Sequence, residues 1–333
     1  MTMLTTNNNL LFKATVLALC VISFVHVFLF PLYDVESARG TAKTYADFEQ
    51  SLCMNNIKRR KVWRLSRCPQ YGIVTIMQGG RLGNQMWEYA SVWAVARRTG
   101  LEPYVPRCIR LKLDQIFEQL TVPAFEEIAH CPVEIGAFVK SIEAWTFTNQ
   151  SIILPRYSIQ PELVLTWVQD IVREFTLRRK LRDKSQQVLR GFVKNSAHVN
   201  HTFVGVHVRR TDYIGYLMRK HNARPADITF YLNAMKYFEA KYTNVTFVFV
   251  SDDPAWCARK FAHKANVFVA SNRHKNTPAL DLAILAACNH SIYDYGTFGE
   301  WGAILTGGET VYYNLTHHSS AKIGEIMKNW HAL

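Results

Sequence analysis

The sequence predicts an α/β protein built on parallel sheets, and three stretches carry that expectation. The first, Phe203 to Asp212, is an apolar, β-branched run ending in His207, Arg209, Arg210 and Asp212; a buried parallel strand that delivers polar groups to its C-terminal edge reads this way. The second, Gly72 to Arg98, is a strand, a glycine-rich turn at Gln78–Gln85 and an amphipathic stretch closed by Gly100. The third is the alternation of short apolar runs with helical periods from residue 203 to residue 313, the pattern of a doubly wound sheet.

In chain order, Ala14 to Phe30 is an uncharged apolar run of about 17 residues closed by Pro31, at the short end of what spans a bilayer. It is longer than the apolar core of a cleaved signal, so it reads as an uncleaved anchor; Lys13 before it and Asp34 and Glu36 after it favour a cytosolic N-terminus. Residues 1–13 are then a cytosolic tail, 14–32 a transmembrane signal anchor and 33–69 a polar, basic stem without apolar periodicity. Two compact domains follow, 70–198 and 199–333. In the first, Gly72–Met77 is a strand, Met86–Arg98 a helix, Leu101–Val105 strand-like, and Pro161–Phe175 and Leu177–Val193 helices; Leu111–Gln150 carries weak signals. In the second, strands are expected at Phe203–Val208, Val245–Val250, Ala265–Ala270, His290–Tyr293 and Thr310–Tyr313, the last of the chain. Helices are expected at Asp227–Phe238, Pro254–His263, Pro278–Cys288 and Gly296–Leu305.

The chain is 49% hydrophobic and 20% charged, enough over 333 residues to bury a sizeable core. A net charge of +13 suggests an anionic partner, yet the basic clusters at 58–64 and 173–182 lack the interleaved aromatics of a nucleic-acid surface. The glycines at 79, 80 and 83 do not fit a dinucleotide fingerprint, and Pro106-Arg107 stands where its acidic ribose ligand would be needed. No Cys-x-x-Cys, His-x-x-x-His or Asp-x-Asp occurs, so no metal is expected. Outside the apolar run lie Cys53, Cys68, Cys108, Cys131, Cys257 and Cys288, an even set able to form disulfides in an oxidising lumen. Asn149, Asn200, Asn244 and Asn314 are N-glycosylation acceptors; Asn289 has the same motif but falls in a stretch expected to be packed.

Three strand ends should meet at one sheet edge: His207 to Asp212, Ser251 to Asp253, and Asp294 to Phe298. Arginine forks suit phosphate oxygens, a carboxylate suits a base or ribose, and a helix start offers free amides. Each has a plainer use, with Asp252, Asp253 or Thr297 as helix caps and His207 as a core histidine.

The stretches Gly80–Met86, His207–Asp212, Phe249–Asp253, Asp281–Ala283, Asn289–Ser291, Gly296–Trp301 and Leu305–Thr310 closely resemble the GDP-fucose galactoside α-1,2-fucosyltransferases, in the same order over about Gly72 to Asn314. The resemblance implies a GT-B architecture, two Rossmann-like domains facing a cleft behind an N-terminal transmembrane anchor, and a single-pass Golgi enzyme with a lumenal catalytic body. It implies inverting transfer of L-fucose from GDP-β-L-fucose to the 2-hydroxyl of a terminal β-galactose, with no metal and no nucleic acid involved. Arg209 and Arg210 match the family's basic pair, expected on the diphosphate, with Arg209 foremost. His207, Asp252 or Asp253, Thr297 and Phe298 match nucleotide contacts, and Gly83 and Asn84 are expected near the fucose and acceptor. For the acceptor's proton the candidates are Asp212, Glu88 and Glu300, with Asp212 leading.

Overall fold

The computed structural model describes residues 44–55, 67–133, 150–193, 200–271, 276–315 and 319–333. The expected tail, the anchor and Asn149 lie outside these residues; among the described residues no helix is long and apolar enough to cross a membrane.

The elements in order are α1 (Tyr45–Leu52), β1 (Ile73–Ile76), α2 (Leu82–Thr99), β2 (Glu102–Pro103), α3 (Arg107–Leu113), β3 (Ile152–Leu154), α4 (Pro161–Val164), α5 (Val168–Glu174), α6 (Arg179–Phe192), β4 (Thr202–Val208), α7 (Tyr213–His221), α8 (Ile228–Lys241), β5 (Val245–Ser251), α9 (Pro254–Phe261), β6 (Val267–Val269), α10 (Pro278–Ala286), β7 (His290–Tyr293), α11 (Thr297–Thr306), β8 (Thr310–Tyr312), α12 (Ser319–Ile326) and β9 (Trp330–Ala332). They form an α/β fold with two parallel sheets, one ordered β2-β1-β3 and one ordered β6-β5-β4-β7-β8-β9. The first, three-stranded among the described residues, is smaller than the full Rossmann-like domain expected.

In the larger sheet the chain runs outward from β4 through β5 to β6, then returns to the other side of β4 with β7. That reversal makes β4/β7 the switch point, where an open sheet leaves a crevice at its carboxyl edge. The register sets Val208 beside Ser251 and His207 beside Tyr293, so the residues that follow, Arg209, Asp252 and Asp294, leave the sheet at one level. Val204, Val206 and Val208 are fully buried against Phe230, Tyr231 and Phe247 on one face, which explains the apolar run.

The two sheets share one core. Val74 and Ile76 of β1, most of α2, and Leu282, Tyr293, Trp301 and Trp330 from the second half belong to the same buried cluster. Trp301 is its centre, 4.8 Å from Trp87 of α2 and 4.8 Å from Phe175 between ring centroids. Bulky aromatics bury the most apolar surface per residue, and here they join elements more than two hundred residues apart in sequence.

Several elements differ from the sequence expectation. α2 begins at Leu82, four residues early, because Gly80 turns the chain at φ +58 and the helix starts immediately after Arg81. It ends as expected, with Gly100 left-handed at φ 78 and its N–H on the Ala96 carbonyl. The single helix expected over Pro161–Phe175 is two, since Trp167 leaves helical geometry at ψ 42 and sets its ring edge-on to Trp93 at 6.2 Å. α7 has no counterpart among the expected helices; it carries no side-chain cap and buries only Leu217, so little in the sequence marks it. Thr310–Tyr312 is not the last strand: α12 and then β9 follow, the latter pairing parallel with β8.

Within the expected stem, α1 packs against the body. Tyr45, Phe48 and Leu52 recur at helical spacing on one buried face beside Phe125, Ile128 and Tyr104. Thr44 caps the helix through the Asp47 N–H, and Glu49 is buried in an ion pair with Arg107 at 3.0 Å. Cys53–Cys108 fastens its end and Cys68–Cys131 the strand approach beyond it. His130 lies close to that second pair of sulfurs, but a disulfide leaves no thiolate for a metal. Cys257 and Cys288 remain free and buried, so of the six cysteines outside the apolar run four are paired. Asn200, Asn244 and Asn314 are exposed, and so is Asn289, although its Oδ1 accepts the Phe203 N–H at 2.9 Å.

Cys53→Ser should therefore destabilise the folded protein by roughly 4 kcal/mol, the loop entropy of a 55-residue closure, read by urea unfolding under non-reducing conditions. A loss below about 1 kcal/mol would mean that the Glu49–Arg107 pair and the apolar face hold α1 without the bridge.

Candidate active site

At the carboxyl edge of β4 and β7 lies a cavity of about 750 Å³. Its wall takes Gly80, Arg81, Gly83 and Asn84 from the α2 start, His207, Arg209, Asp212, Tyr213 and Tyr216 from β4 and α7, Asp252 and Asp281 from the β5 and α10 side, and Tyr295, Thr297 and Phe298 from the α11 start. Tyr157 and Ile159 close it from the first half.

Two helix N-termini meet there. Neither α2 nor α11 has a side-chain cap, so both present unpaired first-turn amides and the positive end of their dipoles. They touch at Gly83, where an added Cβ would lie 2.6 Å from the Phe298 nitrogen and 2.7 Å from the Thr297 carbonyl carbon. Thr297 Oγ1 also donates to Asn84 Oδ1 at 3.0 Å, tying the two starts together. The expected Gly83, Asn84, Thr297 and Phe298 thus form one structural unit.

Arg209 is fixed at three points. Its backbone N–H donates to Asp294 Oδ2 at 2.7 Å, Nη1 donates to Asp252 Oδ2 at 2.7 Å, and Nη2 reaches Asp212. Asp294 is fully buried and also accepts from Tyr231 Oη at 2.9 Å and its neighbour Tyr295 N–H at 2.7 Å, so it is the anchor under the site. Sequence reasoning gave it no role; the strand-end aspartate before Tyr295 was the only signal. Asp252 besides holds the Arg210 N–H at 2.9 Å and the Thr211 hydroxyl.

Arg210 lies outside the cavity wall. Its guanidinium instead stacks on Trp256 at 4.0 Å, with Asp253 3.9 Å from Nε. Asp253 is the N-cap of α9, accepting the Trp256 N–H at 3.1 Å. Of the basic pair and the acidic pair, one member each faces the cavity.

His207 is 6% exposed, 5.5 Å from the Phe298 ring, with Nδ1 3.5 Å from Asp294 Oδ1. Asp281, in a family-like motif but without an expected role, lines the same end; its bonds to Asn276 and Ser271 both fall on Oδ1, and burial raises its pKa above the usual range.

Of the three carboxylates weighed as base, Asp212 alone lines the cavity; it is half exposed and bridged to Arg81 at 2.9 Å as well as to Arg209. Glu300 is buried, accepting from Trp87 Nε1 at 2.9 Å and from Ser319 and Ser320. Glu88 is also buried behind the turn, accepting the Tyr157 N–H at 3.1 Å, with Oε2 unpartnered; burial pushes it up to about 8 against the pull of the Tyr157 and Gly79 amides and of Arg156.

The sequence from residue 40 to residue 332 matches Glycosyl transferase family 11. The chain belongs to this family. Among similar family 11 relatives, the mouse galactoside 2-alpha-L-fucosyltransferase Sec1 is 35% identical over 265 residues, 73% of this chain and 67% of the relative. The pig galactoside alpha-(1,2)-fucosyltransferase 2 is 32% identical over 304 residues, 82% and 83% of the two chains. The fold is similar to the crystal structure of the NodZ alpha-1,6-fucosyltransferase soaked with GDP-fucose, at TM-score 0.50 and 16% identity over 74% of this chain and 97% of that one. It is similar also to the apo form of POFUT1, at TM-score 0.50 and 12% identity over 75% and 99%.

Gly83→Ala should drive the two helix starts apart, lowering stability by about 2 kcal/mol or more and weakening GDP binding at least tenfold, read by melting and calorimetry. A second expectation concerns Glu88. Its folded pKa lies above the ordinary 4.5, so the folded chain holds a proton that the unfolded chain releases, and stability falls as pH rises from about 4.5 to about 8. Glu88→Gln keeps the acceptor for Tyr157 and removes the titration. Urea unfolding at pH 5, 6.5, 8 and 9 should show the variant gaining on the wild type up to about pH 8 and levelling beyond it; the opposite slope would refute the assignment.

Proposed function

We propose that this family 11 glycosyltransferase is a galactoside 2-alpha-L-fucosyltransferase, moving L-fucose from GDP-β-L-fucose to the 2-hydroxyl of a terminal β-galactose. The observation that carries the reading is Arg209, held by Asp294 and Asp252 and facing a cavity where two uncapped helix starts converge. Such a site fits a diphosphate. Negative charge builds on the departing phosphate as the donor's glycosidic bond breaks, and a preset guanidinium with fixed amides stabilises that charge more in the transition state than in the ground state. This arrangement supplies, from protein groups, the role that a metal has in other glycosyltransferases, so transfer is expected to need none.

The rest of the site divides around that point. His207, Phe298 and Asp281 sit together at the end where a base would lie, and a carboxylate oxygen there suits the paired N–H donors of a guanine edge. Arg210 acts from behind, holding the β5 end through Asp253 and Trp256 rather than meeting phosphate. Asp212 stands beside Arg209 and takes the acceptor proton as the hydroxyl oxygen attacks the anomeric carbon from the face opposite the diphosphate. Residues 70–198 would then supply the acceptor side of a GT-B arrangement and 199–333 the donor side. The two disulfides are consistent with an oxidising compartment. A single-pass Golgi membrane protein with a lumenal catalytic body, glycosylated at Asn149, Asn200, Asn244 or Asn314, agrees with them.

The test is transfer from GDP-fucose to a panel of β-galactosides by the enzyme and by Arg209→Ala, with and without EDTA. EDTA-resistant α-1,2 linkage, falling about 100-fold or more in the variant, is the expected result. Transfer to another sugar would overturn the acceptor, and tight GDP binding without turnover would overturn the activity.

A further inference from the structure

Two tyrosines in the cavity wall have more open surface than packing explains. Tyr157 is 52% exposed and Tyr216 is 38% exposed, and both line the cavity. Tyr216 is the outermost of three rings. Tyr295 is buried, Tyr213 stacks on it at 4.6 Å with 16° between the planes, and Tyr216 lies against Tyr213 at 4.8 Å and 39°. The inner two rings thus fix the outer one from behind. Its backbone N–H donates to the Asp212 carbonyl at 3.3 Å, and it stands four residues beyond Asp212, on the same side of α7 and one turn away. Tyr157 comes from the opposite half and is held at φ 59, left-handed backbone that a bulky residue adopts at a cost, with its N–H on Glu88.

We infer that Tyr216, with Tyr157 across the cavity, is the stacking platform that seats the acceptor sugar. This rests on the proposed galactoside transfer. The C–H groups at C3, C4 and C5 of a β-galactose form one apolar patch, which an aromatic face covers while the hydroxyls point aside to polar partners. With that patch on Tyr216, a hydroxyl of the same ring lies one helical turn away, at Asp212, and Arg209 beyond it holds the departing phosphate. A rigid backing matters because a ring already fixed loses little entropy on binding. Tyr216 is accordingly a specificity determinant for the acceptor, whereas Tyr213 and Tyr295 support it.

Steady-state kinetics of Tyr216→Ala, Tyr216→Phe and Tyr216→Trp in the full chain, varying a β-galactoside at saturating GDP-fucose and then the reverse, test this. The acceptor KM should rise about tenfold in Tyr216→Ala, while the donor KM moves less than about threefold, and Phe or Trp should restore the acceptor KM. An acceptor KM unchanged in Tyr216→Ala, or a donor KM rising in step with it, overturns the platform. So does an alanine variant that Phe fails to rescue while GDP binding by calorimetry stays intact. A wild-type enzyme that releases fucose from GDP-fucose to water but to no β-galactoside overturns the galactoside reading and the platform together, and is told apart because the wild type itself fails.

Discussion

The rest of the molecule depends on the close approach of two helix starts at Gly83. Any side chain there would meet the Thr297–Phe298 backbone, so only hydrogen lets α2 of the first sheet and α11 of the second converge. Below the contact the same helices continue into one apolar core, with Trp87 against Trp301 and the Trp87 indole N–H on buried Glu300. The positive ends of both helices are therefore held at a common point by packing that extends well beneath it. Dipoles fixed in this way need no reorganisation when charge develops, which is the property that makes preset amides effective on a phosphate.

Around that point the electrostatics are balanced in advance. Three carboxylates share Arg209, and each does so differently: Asp294 takes its backbone, Asp252 its inner nitrogen, Asp212 its outer one. Burying a guanidinium without partners would be costly, so the protein satisfies the inner donors and leaves the exposed Asp212 side, bridged also by Arg81, as the part an incoming anion can compete for. In the proposed reaction the same Asp212 turns to the acceptor once phosphate has taken its place on the arginine.

Much of this was legible in the sequence because parallel strands end abruptly in polar residues. The β4 run with its His-Val-Arg-Arg ending, the β5 run ending at Ser251 and the glycine turn before α2 each state their geometry in residue type. What was not legible is orientation. Arg209 and Arg210 are chemically equal, as are Asp252 and Asp253, and only the tertiary contacts of Arg210 with Trp256 and the cap of α9 decide which member of each pair faces the cavity. Glu88 and Glu300 look like candidate bases on paper, yet tertiary packing buries both. α7 escaped notice because it buries one leucine and lacks a cap, so the tyrosines that line the cavity had no visible pattern. The α1 face was missed because eight residues carry too few periods to stand out from a polar, basic surrounding.

The distribution of sulfur has a practical consequence. Both bridges lie in the segment from Cys53 to Cys131, whereas the larger sheet carries Cys257 and Cys288 as thiols, fully or nearly buried and raised by desolvation to about 12. A thiol without a thiolate and without access reacts with neither oxidants nor alkylating reagents. Those two groups are therefore silent while the fold around the larger sheet is intact and become reactive only when it opens, so their labelling by an alkylating reagent reports unfolding there without any introduced cysteine.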